Sequence, residues 1–378
     1  MNKQENVLLL ILLILIAGIL LMSSCGNSSS DSLDPTDSQQ TQFDRSEMLV
    51  NITDNIIIPA YNNLSQKIEN LDQKGVDFIN NTNQNNLNEL RKSWFDVYKA
   101  WQYVEMFNIG KAEEISYMKK MNTYPTDFER IENNISTKNY DLVNNDNNLD
   151  AQGLPALDYM LYGLDNDSNQ ILNVYLSENG ADYISYLQEL IQQIKSNTDI
   201  VITYWDNNRN DFVNSTENTA TSSLNMLTND FIYYYEKGFR ANKIGIPAGI
   251  FSQVLPDRVE AYYKRNISKK LALEALKACE DFFVGKSFLS EEKGKSLETY
   301  LIHLNAQNGT LANKILDRFT NARNQINNLD DNFVYQIENN NLAMLQAYDA
   351  IQENTRNLKT DMLSALNIAV DYIDADGD

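Results

Sequence analysis

Apolar residues along this chain return every three or four positions. In "LNELRKSWFDVYKAWQYVEMF" they fall at Leu87, Leu90, Trp94, Val97, Trp101 and Val104, the spacing of one face of an α-helix. Ile184, Leu187, Ile191, Ile194, Thr198, Val201 and Trp205 step in the same way. So do Leu297, Tyr300, Leu301 and Leu304, and again Leu358, Met362, Ala365 and Ala369. No segment shows sustained strand alternation between turn residues, and six prolines are few for 378 residues. The pattern predicts an all-α fold of antiparallel helices packed as bundles.

The predicted helices fall into two sets, residues 43–208 and 222–378, with the polar "NNRNDFVNSTENTATS" between them supplying a linker at 209–221. Each set holds a broken-helix element, "GLPAL" from Gly153 and "GIPAG" from Gly245. That echo predicts two related up-and-down bundles. Between Lys111 and Asp150 the period fades into Asn- and Asp-rich sequence, read as a long irregular connection with short helices.

The N-terminus changes the picture. A charged start, "MNKQEN", leads into an unbroken apolar run from Val7 to Met22 that ends in "LMSSC". This is the order of a secretory signal, residues 1–24, whose removal exposes Cys25. A permanent span is the alternative, but the run is short against the about 20 residues a span requires. The stretch resembles a bacterial lipobox, so Cys25 is expected to carry lipid and to anchor the chain to a membrane through the polar tether 25–42. The expected location is the cell envelope, lipid-anchored at the outer membrane and facing either the periplasm or the surface.

Charge and rare residues then exclude whole classes of chemistry. There are 31 Lys and Arg against 52 Asp and Glu, a net charge of −21, which argues against nucleic acid as a partner. With Cys25 taken by the anchor, Cys279 stands alone and no internal disulfide can form; its apolar surroundings, "LALEALKACEDFF", mark a small core residue. His303 is the sole histidine, so one chain cannot build a multi-histidine zinc site. Any metal would be held mainly by oxygen, which suits hard cations.

Candidate chemistry centres on "GLPALDYMLYG", residues 153–163. If Pro155 opens a helix and Gly163 closes it, Leu154, Leu157, Asp158 and Leu161 form the inward stripe. A carboxylate facing a core requires a partner. Asp158 is read two ways: as a buried ion pair or acceptor of backbone hydrogen bonds, or as a pocket-lining acceptor. Arg240 and Lys243 in "EKGFRANKIG" are its expected partners. Glu105 also falls on an inward stripe, although the approaching Gly110 favours an edge position near water. Tyr233, Tyr234 and Tyr235 invite an iron–phenolate reading, but consecutive helix positions point apart, so core packing is favoured. The terminal "DADGD" resembles the start of a calcium loop and ends before a distal Glu could complete it.

The order of "PAYNNL", "SWFDVYKAWQYVEMFNIG", "GLPALDYMLYG", "EKGFRANKIGIPAG", "VEAYYKRNISKKLALEALKACEDFFVG" and "DMLSALNIAVDYIDADGD" resembles the imelysin-like proteins. The resemblance implies an all-helical fold of two related bundles with a pocket where they meet, and secretion or lipid anchoring in the bacterial envelope. It also implies an association with iron uptake, so iron-uptake components become candidate partners, and founding members described as metallopeptidases. The family's Gly-x-His-x-x-Glu signature aligns with Gly153, Pro155 and Asp158, so the histidine is absent and the glutamate is one methylene shorter. Losing an imidazole removes a metal ligand that water activation would use. The expectation is a non-catalytic binding protein using Asp158, Glu105, Arg240 and Lys243. A metallopeptidase and a helical adaptor for other envelope proteins are the alternatives.

Overall fold

The computed structural model describes residues 42–143, 145–167 and 169–372. The leader, Cys25, the tether up to residue 41 and the terminal "DADGD" lie outside the described residues. From Phe43 onward the chain forms one compact unit.

Helix α1 (Arg45–Ile52) starts where Asp44 Oδ1 accepts the Glu47 N–H at 2.9 Å, which satisfies one of the otherwise orphaned N-terminal donors. It continues through a π-helical turn, Thr53–Ile57, into α2 (Ile58–Asn80). Asn83 caps α3 (Gln84–Trp101) in the same manner, accepting from Asn86 N–H at 3.0 Å. Leu87, Leu90, Trp94, Val97 and Trp101 of α3 are all buried, as their period requires. The weakly periodic stretch holds short helices at Lys111–Glu114, Tyr117–Asn122 and Phe128–Thr137. Helix α4 (Gly153–Tyr162) follows, and α5 (Gly180–Asn214) carries the Leu187–Trp205 stripe on its buried face. Helices α2, α3, α4 and α5 pack against one another.

After the polar connection, α6 (Ser223–Tyr233) runs directly into a twelve-residue π-helix, Tyr234–Gly245. Helix α7 (Ser268–Val284) follows a loop, and α8 (Leu311–Asn327) and α9 (Phe333–Arg356) complete the set. The π-helix, α7, α8 and α9 pack together around Tyr235, Phe283 and Phe319. Among the described residues there is no strand, only an isolated bridge between Lys286 and Lys293. The all-α expectation holds.

Two local expectations fail for a physical reason. The final stripe was drawn through Ala369, yet the helix ends at Leu366, Asn367 turns left-handed at φ 55° and Ala369 is exposed. A π-turn at Asn357–Met362 adds a residue to one turn and rotates the inward face onto Met362, Leu363 and Leu366. The "GLPAL" and "GIPAG" segments also differ in backbone. Gly153 starts a helix at φ 75°, whereas Gly245 is helical at φ −68° and the break comes at Gly249, φ 83°.

Candidate functional site

Gly153 opens α4 because nothing larger fits. At φ 75° a Cβ would lie 2.5 Å from the Met121 carbonyl oxygen and 2.6 Å from that of Lys120. Glycine alone combines that dihedral with that approach. Pro155 sits inside the first turn, where a missing N–H costs no hydrogen bond, and Asp158 faces inward one turn later with 1% of its surface exposed.

The Asp158 carboxylate reaches neither Arg240 nor Lys243. Its Oδ2 accepts the backbone N–H of Tyr263 at 2.8 Å and its Oδ1 that of Lys264 at 3.0 Å. Burial pushes its carboxyl up to about 7, against those two donors and the nearby cations of Lys264 and Arg265. The expected partnership is therefore corrected. Asp158 anchors a loop, Val259–Ile267, that is contorted enough to hold two non-glycine residues at positive φ, Ala261 at 57° and Arg265 at 62°. Non-glycine residues at such positions are strained and persist only where their surroundings fix them. The carboxylate, the Arg265 N–H to Ala261 carbonyl bond of 2.8 Å and the Ser268 hydroxyl on the Arg265 carbonyl do so.

The same loop sends Glu260 inward. Lys243, from the π-helix, lies 2.7 Å from Glu260 Oε1 and 3.5 Å from Glu105 Oε2, with all three side chains buried. Glu105 is thus no edge residue. The chain beyond α3 folds back as turns and carries it inside, where Asn122 Nδ2 donates to Oε1 at 2.9 Å and the Tyr234 hydroxyl donates to Oε2 at 3.1 Å. Asn122 also donates to Glu260 Oε1 and accepts from the Tyr98 hydroxyl at 2.7 Å. Burial lowers the Lys243 pKa, but Glu105 and Glu260 outweigh it and hold the ammonium above its ordinary value. Burial and then Glu105 push the Tyr234 phenol far up, so it stays protonated and donates. Two acceptors in this cluster, Glu260 Oε2 and Gln102 Oε1, are buried without a partner among the described residues. A buried acceptor left unpaired costs about 1–3 kcal/mol.

Arg240 belongs to a different network. It hydrogen-bonds the Tyr348 hydroxyl at 2.8 Å, approaches Glu236 Oε1 at 3.4 Å and contacts Gln352. Glu236 also receives Lys359 at 3.2 Å and the Tyr372 hydroxyl at 3.0 Å. The structure brings Glu105 and Lys243 together and places Asp158 and Arg240 apart from them. Sequence reasoning missed Glu260, Asn122 and Tyr98. Only Glu260 left a trace, as the sole carboxylate between Asp257 and Glu274. The three tyrosines diverge as expected: Tyr233 is exposed, while the hydroxyls of Tyr234 and Tyr235 bond Glu105 and the Ile351 carbonyl. Cys279 is fully buried, and burial raises its thiol pKa.

The aligned motif does not fit a catalytic metal. Pro155 offers no donor atom, both Asp158 oxygens are occupied by backbone N–H groups, and no described residues form a group of three or more His, Cys, Asp or Glu suited to hold an ion. In the inner cluster an ammonium stands between the two carboxylates.

The sequence profile of the family described as Imelysin matches residues 57–358. The chain belongs to the imelysin family. Two solved structures share its imelysin-like fold. One is described as an iron-regulated protein A precursor from Parabacteroides distasonis (TM-score 0.65, 17% identity, covering 88% of this chain and 96% of that one). The other is described as an imelysin-like protein from Psychrobacter arcticus (TM-score 0.65, 17% identity, covering 87% and 97%). No curated protein sequence matches the chain.

Proposed function

We propose that this imelysin-family protein is a non-catalytic binding protein of the bacterial envelope, tethered by lipid at Cys25 and working in the acquisition of iron or an iron-bearing ligand. The observation that carries the reading is the use made of Asp158. At the position where the family motif ends in a glutamate, this chain commits both carboxylate oxygens to a loop backbone and puts Pro155 where the histidine would be. With both oxygens engaged and no imidazole beside them, this motif lacks the free base or metal ligand that water activation would use, which supports a binding role over a peptidase. The iron connection rests on the family and on the iron-regulated relative.

Two measurements test it. Iron-limited cells lacking the protein are expected to accumulate radioactive iron more slowly than cells carrying it, and Glu105→Ala and Asp158→Ala are expected to reproduce the loss. Unchanged uptake overturns the iron reading. Purified full-length protein is expected to leave unfolded casein intact with or without added metal; chelator-sensitive cleavage would restore the peptidase.

A further inference from the structure

On the outer side of the Asp158-anchored loop lies a cleft of about 1370 Å³. Its charge is opposite to that of the whole chain. Arg91, Lys92, Lys264 and Arg265 line it against only two carboxylates, Asp165 and Asp167, in a protein of net charge −21. Among the described residues neither Lys92, Lys264 nor Arg265 forms an ion pair with a carboxylate, although most other basic side chains of this acidic protein do. Arg91, whose Nε donates to the Leu161 carbonyl at 2.9 Å, and Lys264 converge on one ring: the guanidinium carbon and the Nζ each lie 4.7 Å from the centroid of Tyr162. Burial, and for Lys264 the neighbouring Arg91, lower the pKa of both groups. Asp158, behind the loop, offsets part of the repulsion between these two half-buried cations, and an anion in the cleft would offset more of it.

The rest of the lining is aromatic. Tyr263 meets Tyr159 edge-on at 5.1 Å and Tyr262 at 5.2 Å, and Phe128, 49% exposed, tilts against Tyr159 at 6.1 Å. Edge-on packing keeps these rings from covering one another's faces, and the Arg265 guanidinium lies 5.2 Å from the Tyr262 centroid, so a flat partner would meet ring and cation together. Gly163 is required here, since a Cβ would lie 2.5 Å from the Tyr263 ring. The strained loop holds the cations and rings in place before any ligand arrives, which lowers the entropy lost on binding.

We infer that this cleft, between α3, the end of α4 and the loop Val259–Ile267, is a binding site for a planar aromatic polyanion. The rings stack on the ligand's flat face while Lys264, Arg265, Arg91 and Lys92 take its acidic groups. The site goes beyond the inner cluster, because none of Glu105, Lys243 and Glu260 lines it. It also stands whether or not the ligand carries iron. Full-length protein titrated with pyrenetetrasulfonate, read by dye fluorescence anisotropy, is expected to bind at micromolar affinity. Lys264→Gln combined with Arg265→Asn, the latter tolerant of left-handed backbone, should weaken binding about tenfold or more. Lys92→Gln, on the exposed face of α3, should weaken it about two- to fivefold with no change in melting temperature. Tyr262→Ala should weaken it with every charge retained. No binding at about 1 mM dye, unchanged affinity in both charge variants, unchanged affinity in Tyr262→Ala, or full displacement by equimolar sulfate would each overturn the assignment.

Discussion

Asp158 shows how a single side chain can be placed correctly and paired wrongly. Period and helix punctuation put it on the inward face of α4, and it is buried there. The partner could not be read from the sequence, because the donors are backbone N–H groups more than a hundred residues away and any residue supplies one of those. Asp158→Ala leaves two such donors without an acceptor and is expected to lower stability by about 2–4 kcal/mol in urea unfolding. Lys243 sets a second test. Lys243→Met strands Glu105 and Glu260 and should cost about 3–5 kcal/mol, whereas the triple variant with Glu105→Gln and Glu260→Gln should recover most of it. Independent, additive losses in the same unfolding curves would show that the three side chains do not act as one unit.

At the scale of elements, what was legible had a long, regular repeat. The α3 and α5 stripes announced their own burial, and the irregular connection announced its lack of period. The π-helical segments were illegible because they alter the repeat itself. The twelve-residue stretch Tyr234–Gly245 delivers Glu236 and Arg240 to one network and Lys243 to another. An α-helical reading assigns all three positions to one face, as i, i+4 and i+7. The loop Val259–Ile267 was equally hidden, since its shape comes from distant contacts and not from glycine or proline in the loop itself. Gly153 marks the opposite case, where the residue type states the geometry. Gly153→Ala is expected to destabilise by about 1–3 kcal/mol, from the left-handed dihedral and the collision with two carbonyls together. A melting temperature equal to that of the unmodified protein would refute it.

The whole molecule carries a pH signature. Burial, then Glu113 and Asp371, push the Asp230 carboxyl on α6 up to about 8. Asp158 is raised as well, to about 7. Unfolded carboxylates release their protons near pH 4, so between there and the raised values the native state holds more protons and stability falls as pH rises. The urea midpoint should therefore be higher at pH 5 than at pH 8.5, and Asp230→Asn should flatten the slope and add about 1–3 kcal/mol at the alkaline end. A midpoint that climbs with pH over that range would contradict both assignments. Lys243 acts further up: with its pKa raised by Glu105 and Glu260, its contribution is present below the free lysine value and disappears above it.

One length of backbone joins the two polar sites of this protein. Glu260 dips into the sealed interior while Lys264, four residues on, reaches the open face, and Asp158 clamps the chain between them. If a guest on the outside shifts that segment, the carboxylate within shifts with it, and thermodynamic reciprocity then requires the converse. Slower amide exchange around Asn122 and Tyr234 when the outer groove is filled would be the audible end of that string.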